Sequence, residues 1–502
     1  MTATPTRRRL GVLLVVLFGV LSGHGANASP YSDLAEIIRR AIHGPEERAD
    51  AALLALRQLR DPALRPFFAQ LAASDRDDHR LHGVLGVGEL EQPPALDLFL
   101  VSQLNDAAEQ TALISSARNH GMLADDAVEE LLARPGLPPV LEAYLHLLNA
   151  RKGEPATEAR LRALLDAESL LTSGRAALLL HDAGQSELAS PVLERIMLDD
   201  STRGEWRIAL LLQDIRTSDL SSAAGLAHRA YDKWSENGAL RSEALFTLMS
   251  VAPETGTPLW ADAYGASDDL ARRLRLALIA LEAHQHTPDT IFSTLASQTD
   301  QSLLSTIGKA GLALREEGRA RVEPLLALAR TRYTPGIAWL VAVSAELPDD
   351  EAVELLTELS GLPLSSERLG VELMDQAVVA ASRLAARDPA VFANLLRDSE
   401  TEQRDAHRLA LLLGLLRDVN APRPEDVLES YSPPDAESRA LTALLHAQRE
   451  GALSEDRLDR LRRVAFGWGG LSHARRVQAA WMLLRREGHD RAAIARILTE
   501  MP

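Results

Sequence analysis

A chain of 502 residues that is 46% hydrophobic but only 4% aromatic must build its interior from Leu, Ala, Val and Ile, a composition suited to closely packed helices. It has no cysteine, which excludes disulfides, thiol catalysis, thiolate metal sites and a lipidated N-terminal cysteine. Its formal net charge of -17, from 54 basic and 71 acidic residues, makes nucleic acid and anionic lipid poor partners.

Arg7 to Arg9 open the chain on a basic segment, followed by an apolar run from Leu10 to Leu21 and the small-residue site Ala26-Asn27-Ala28. These are the three parts of a secretory signal peptide, with cleavage expected after Ala28 and a periplasmic or secreted mature chain. The apolar run is too short to span a bilayer, which takes about 20 residues, so no membrane insertion is expected after cleavage.

The next segment carries one apolar phrase at a fixed step. Ala63-Leu64, Ala95-Leu96, Ala127-Val128 and Ala159-Arg160-Leu161 follow one another at a constant interval. Regular spacing of this kind points to stacked helical pairs, in which each repeat buries its apolar face against its neighbours. The first helix of a pair opens near proline, as at Pro62, Pro93-Pro94 and Pro155, where a missing donor costs nothing. The second follows an acidic turn and carries an arginine near its start: Asp77-Asp78 with Arg80, Asp199-Asp200 with Arg207, Asp268-Asp269 with Arg275, and Asp405 with Arg408. The acids can cap exposed amides, while Leu and Ala recur on the buried face.

An acidic turn, an arginine and an Ala/Leu-rich helix in units just over thirty residues long resemble the short bacterial HEAT-type repeats, including those named after phycobilisome lyases. Asp61 to Leu90 carries the resemblance best, and it extends over roughly residues 45–215. It implies an all-α fold, a right-handed α-solenoid of stacked antiparallel helix pairs, and a protein-binding or scaffolding surface. It transfers no catalytic residue. Tetratricopeptide-like pairs are the architectural rival, although their aromatic signature is not legible here.

Beyond residue 215 the apolar anchors drift. The steps from Pro258 to Pro288, Val322 to Val353, Val353 to Val391 and Val391 to Val427 are unequal and the later two are the longer, which suggests longer, degenerate units. The expected organisation is a leader over 1–28, regular repeats over 29–252 and degenerate repeats over 253–502. From Gly451 to Pro502 the chain carries ten Arg against six acids, which reads as a basic capping end. Ala421–Pro424 and Tyr431–Pro434 read as loops.

Candidate chemistry is sparse. Asp75, Asp77, Asp78, His79 and His82 include metal-type ligands, but they fall at a turn where repeats of this type are acidic anyway; His284 and His286 alternate at a helix end and need not converge. None of the 14 histidines precedes a glutamate, against a His-Glu di-iron site. Glu168-Ser169 is similar to the acidic dipeptide of lytic transglycosylases, but it reads as part of a repeat helix and lacks its downstream element. No nucleophile elbow, Walker loop or dinucleotide fingerprint occurs. No catalytic, metal or cofactor site is therefore expected.

The most unusual local sequence is Phe466-Gly467-Trp468-Gly469-Gly470, followed by Arg475, Arg476 and Trp481. Aromatics in an aromatic-poor chain need burial or a partner, and Trp and Arg are favoured binding anchors. Phe466, Trp468, Arg475, Arg476 and Trp481 are the expected contact residues. The function expected is an exported non-enzymatic helical-repeat scaffold that binds another protein or organises an envelope assembly, with a carbohydrate- or peptidoglycan-binding module and an enzyme with a dispersed site lacking local motifs as alternatives.

Overall fold

The computed structural model describes residues 30–91, 126–150, 158–235, 238–298, 301–362, 367–400, 405–418, 422–448, 453–467 and 471–486, with scattered positions between 95 and 123. The leader lies outside the described residues. Among the described residues the chain is all-helical, 78% helix in 26 α-helices, with no strand. It divides into two compact units, one joining residues up to Gln70 to those from Ala440 onward, the other spanning Leu71–Arg439.

The first unit assembles both ends of the chain. In the helix Pro30–Ile42, Leu34, Ile38, Ala41 and Ile42 recur on one buried face. The next helix, Glu46–Gln58, buries Ala49, Ala52, Leu53 and Leu56 in the same way. Against both packs His473–Arg486, a helix whose Val477 to Leu484 are buried all round, and which also covers Glu455–Ala465. An apolar belt covering a whole helix demands neighbours on every side. Polar contacts lock the arrangement. Gln478 donates to the Ala55 carbonyl at 2.8 Å, and the Trp481 indole donates to Asp61 Oδ2 at 2.9 Å. Arg485 pairs with the same Asp61 oxygen at 3.2 Å, while Oδ1 caps the turn Pro62–Leu64 through the Ala63 amide.

The second unit is a succession of helices, most of them packed on their neighbours in sequence and many on the helix two places on. Thus Pro139–Ala150, Leu170–Asp182, Thr202–Thr217, Gly238–Val251, Leu270–Glu282 and Ser302–Ala313 form one row. From Leu170 to the helix Thr334–Val343, every second helix begins at a nearly constant step, its starts falling at Leu170, Thr202, Gly238, Leu270, Ser302 and Thr334. The period therefore persists well past the stretch where the apolar phrase is legible. Side chains cross-link the row: Arg175 Nε donates to Asp214 Oδ2 at 2.9 Å, Arg216 to Glu243 at 2.5 Å, and the Trp260 indole to the Leu276 carbonyl at 2.7 Å.

The arginine of the acidic turn has a structural task. Arg80 donates to the Ser74 carbonyl at 2.9 Å, closing the turn six residues back; at Asp268-Asp269 the equivalent bond, to the Ser267 carbonyl at 2.6 Å, is made by Arg273 and not by the expected Arg275. Arg207 instead pairs with Asp199 at 2.5 Å; Ser201's hydrogen bonds, helped by Arg207, hold the Asp199 carboxyl down to about 2. The deepest case is Arg408, fully buried, which donates to the Ser399 carbonyl at 2.7 Å, to Asp435 at 2.5 Å, to Ser438 at 3.2 Å and to Asp405.

Ser302–Ala313 lies against Asp289–Ala296 so closely that a Cβ on Gly308 would fall 2.3 Å from the Ala296 amide nitrogen, and one on Gly311 would fall 2.3 Å from the Phe292 ring. G308A is therefore expected to lower stability by about 1–3 kcal/mol through overpacking. The roughly 1 kcal/mol gain in helix propensity does not offset it. Urea unfolding measures the balance, and a stabilised variant would contradict this packing.

Candidate interaction surface

In the first unit, Glu455–Ala465 starts from a Ser454 cap and ends in a turn at Phe466 and Gly467. Gly467 sits at φ +73°, and a Cβ there would approach Arg476 Nε to 2.7 Å, so glycine lets that side chain cross beneath the turn. Arg476 Nε donates to the Ala465 carbonyl at 3.4 Å. Phe466 is left 41% exposed.

Beside this turn lies a cleft of about 430 Å³, lined by Phe466, Arg476, His473 and Val477 from the end of the chain and by Ile37 and Arg40 among residues of the first two helices. Ile37, Ala41 and Val477 supply apolar surface, and Asp33, Glu36, Arg40 and Arg48 supply charge of both signs. Glu36 is held by Arg40 at 2.7 Å and by Arg39 at 3.2 Å. The surface suits an amphipathic ligand.

The five expected contact residues thus separate. Phe466 and Arg476 meet in the cleft. Arg475 is buried, donating to Gln478 at 2.6 Å, and Trp481 is 1% exposed on Asp61, so both hold the unit together from inside. Trp468 lies outside the described residues. The most exposed of the large apolar side chains, Leu198 at 79% and Trp206 at 60% exposure, escaped the sequence reading. They flank a turn made tight by Gly204, whose Cβ would clash with the Asp199 carbonyl. Their only signal was that apolar residues interrupt an acidic turn.

Of the remaining candidates, the side chains of Asp77 and Asp78 lie outside the described residues. His79 and His82 are buried, with His79 Nδ1 3.5 Å from the Ser74 hydroxyl. Among the described residues no group of three or more His, Asp or Glu is placed to hold a metal ion. His284 meets the edge of Trp339 at 5.9 Å and its Nδ1 lies 3.2 Å from the Leu281 carbonyl; burial lowers its pKa, with Glu346 opposing. His286 is exposed beside it. Glu168 is not within a helix, as its apolar surroundings suggested. It lies exposed in the turn between Glu158–Leu165 and Leu170–Asp182, where Ser169 caps the second helix. An acid followed by serine is better used as a helix start than as a mid-helix pair.

No family model, curated protein or solved structure matches the chain.

Proposed function

We propose that this chain is an exported, non-enzymatic helical-repeat scaffold, a right-handed HEAT-like stack of antiparallel helix pairs, that binds another protein at the Phe466 and Arg476 cleft. The observation that carries the reading is the cleft's make-up: an exposed aromatic and an arginine around an apolar floor, set on helices that are locked by Gln478, Trp481 and Asp61. Interfaces have this anatomy, with an apolar centre, a polar rim and aromatic or Arg anchors. Locked helices lower the ordering cost of binding. Among the described residues no helix is long and apolar enough to cross a membrane. The leader supports export, and the row of cross-linked helices supports the stack.

The test is site-specific photocrosslinking of the full chain in its own cells, with the reactive residue at 466 and, for comparison, at 270, also an exposed apolar position. A discrete protein adduct at 466 that is absent at 270 and lost in Ile37→Lys is the expected result. Adducts of equal yield at both positions, or adducts only with glycan, would overturn the assignment.

A further inference from the structure

A second cleft, of about 380 Å³, lies in the other unit between the helices Gly238–Val251 and Leu270–Glu282, and its charge is one-sided. Its lining includes Arg241, Arg272 and Arg275 against a single carboxylate, Asp269, among the described residues. Asp269 is already engaged as a helix cap, accepting from the Ala271 and Arg272 amides at 3.3 and 3.1 Å. The guanidinium of Arg241 is held 4.3 Å above the Tyr231 ring, and its buried Nε has no hydrogen-bond partner. Arg275 reaches from one helix to the start of the other, with Nη1 3.5 Å from the point where a Cβ on Gly238 would sit.

Several arginines elsewhere in this unit end on carboxylates, as Arg175 does on Asp214, Arg315 on Asp289, Arg330 on Glu358 and Arg408 on Asp435. Here the turn-closing task falls to Arg273, which leaves Arg272 and Arg275 facing the cleft. Both helices also begin there, so the positive ends of their dipoles add to the three guanidiniums. Such a field inside a chain of net charge -17 selects negative charge locally. Leu245, Ala263, Leu276 and the Tyr231 ring add apolar surface. The volume exceeds that of a bare oxyanion and reaches the lower range of small-ligand pockets.

We propose that this cleft binds an oxyanion group, carboxylate or phosphate, carried on a compact apolar body, with Arg241, Arg272 and Arg275 as its guanidinium donors. The site is separate from the Phe466 cleft and goes beyond the function proposed there. Fork-shaped guanidiniums suit planar carboxylates and phosphates, to which they donate two parallel hydrogen bonds.

The test is calorimetric titration of the full chain with phenylacetate, phenyl phosphate and the neutral phenylacetamide. Both anions are expected to bind more tightly than the amide, to weaken as salt rises, and to lose about tenfold or more in affinity for each guanidinium removed in R272Q and R275Q. Both positions are exposed, so the variants keep the fold, which circular dichroism checks. A short peptide with two glutamates between leucines, titrated beside its glutamine counterpart, separates the sources: tighter binding than phenylacetate assigns the anion to a protein segment, weaker binding to a free small molecule. Either order upholds the site. Equal affinity for phenylacetate and phenylacetamide, or R272Q and R275Q binding like the wild type, would overturn it.

Discussion

Replacing Arg408 with Met is expected to destabilise the helices around it by about 3–5 kcal/mol, the range for breaking a buried ion pair by removing one partner. The side chain is fully buried and ties Asp405–Arg417 to the cap of Ala436–Ala447, where Asp435 also accepts from the Ser438 amide at 2.7 Å. Methionine fills part of the volume but leaves the Ser399 carbonyl and Asp435 without their donor. The neighbourhood has little slack, because the Ser399 hydroxyl is already shared with Tyr431 at 2.6 Å and burial pushes that phenol up to about 12. The cost should also depend on pH. Burial would raise Asp435, but the Ser438 hydrogen bonds and Arg408 outweigh it and hold the carboxyl below its ordinary value. A depressed carboxylate contributes stability above its unfolded pKa of about 3.9 and loses it as pH falls through the folded value. The gap between R408M and wild type is therefore expected to narrow on acidification. Urea midpoints at neutral pH and below the ordinary carboxylate range measure it; a gap that widens in acid would contradict the assignment.

Trp481→Ala should unseat the first unit by about 3–5 kcal/mol, the usual cost of emptying a buried tryptophan site. Its ring is 1% exposed in a helix that covers both Pro30–Ile42 and Glu46–Gln58. Trp481→Phe keeps most of the apolar contact and removes only the indole donor, while Asp61 retains Arg485 and the Ala63 amide. That variant should lose about 1 kcal/mol. Proteolysis is the readout: W481A should become sensitive in residues 30–58, although the substitution lies at the opposite end of the sequence. Unchanged protection there would show that the two ends do not depend on each other.

The helical class was legible because Leu and Ala dominate an interior with few aromatics. The apolar phrase marked helix starts at two of its four occurrences: Ala127 and Val128 open Ala127–Leu132 and are buried, and Leu161 is buried inside Glu158–Leu165, whereas Ala63-Leu64 form a short 3-10 turn ahead of Arg65–Leu71 and Ala95-Leu96 are not helical. After residue 215 the period disappeared from the sequence but not from the backbone. Every second helix begins at Leu170, Thr202, Gly238, Leu270, Ser302 and Thr334, a set of starts with no one residue type in common, so a single residue anchor could not reveal the spacing. The role of the recurring arginine was hidden differently, since its partner changes from turn to turn: a backbone carbonyl for Arg80, the Asp199 carboxylate for Arg207, and both kinds of acceptor for Arg408.

Of the expected contact residues, Arg475 and Trp481 were ambiguous by type, because either can anchor a partner or fill a core. The apolar run Ala479 to Leu484 was the available sign that their helix is covered on several sides. Nothing in the sequence pointed to Asp61, near the opposite end of the chain, as the acceptor for Trp481. Periodicity reports local partners, and this contact is set by the fold as a whole.

The central claim is that the second unit is a stack in which each helix depends on its near neighbours instead of on one shared core. Hydrogen exchange read by mass spectrometry along R408M tests it most directly. In a stack, stability is a sum of local terms, so a lesion stays near its origin. Exchange should rise in the helices Glu367–Arg387 and Asp405–Arg417 and in residues 422–439, while residues 170–282 keep wild-type protection. An equal rise in every helix of the unit would contradict the stack and indicate a single cooperative core.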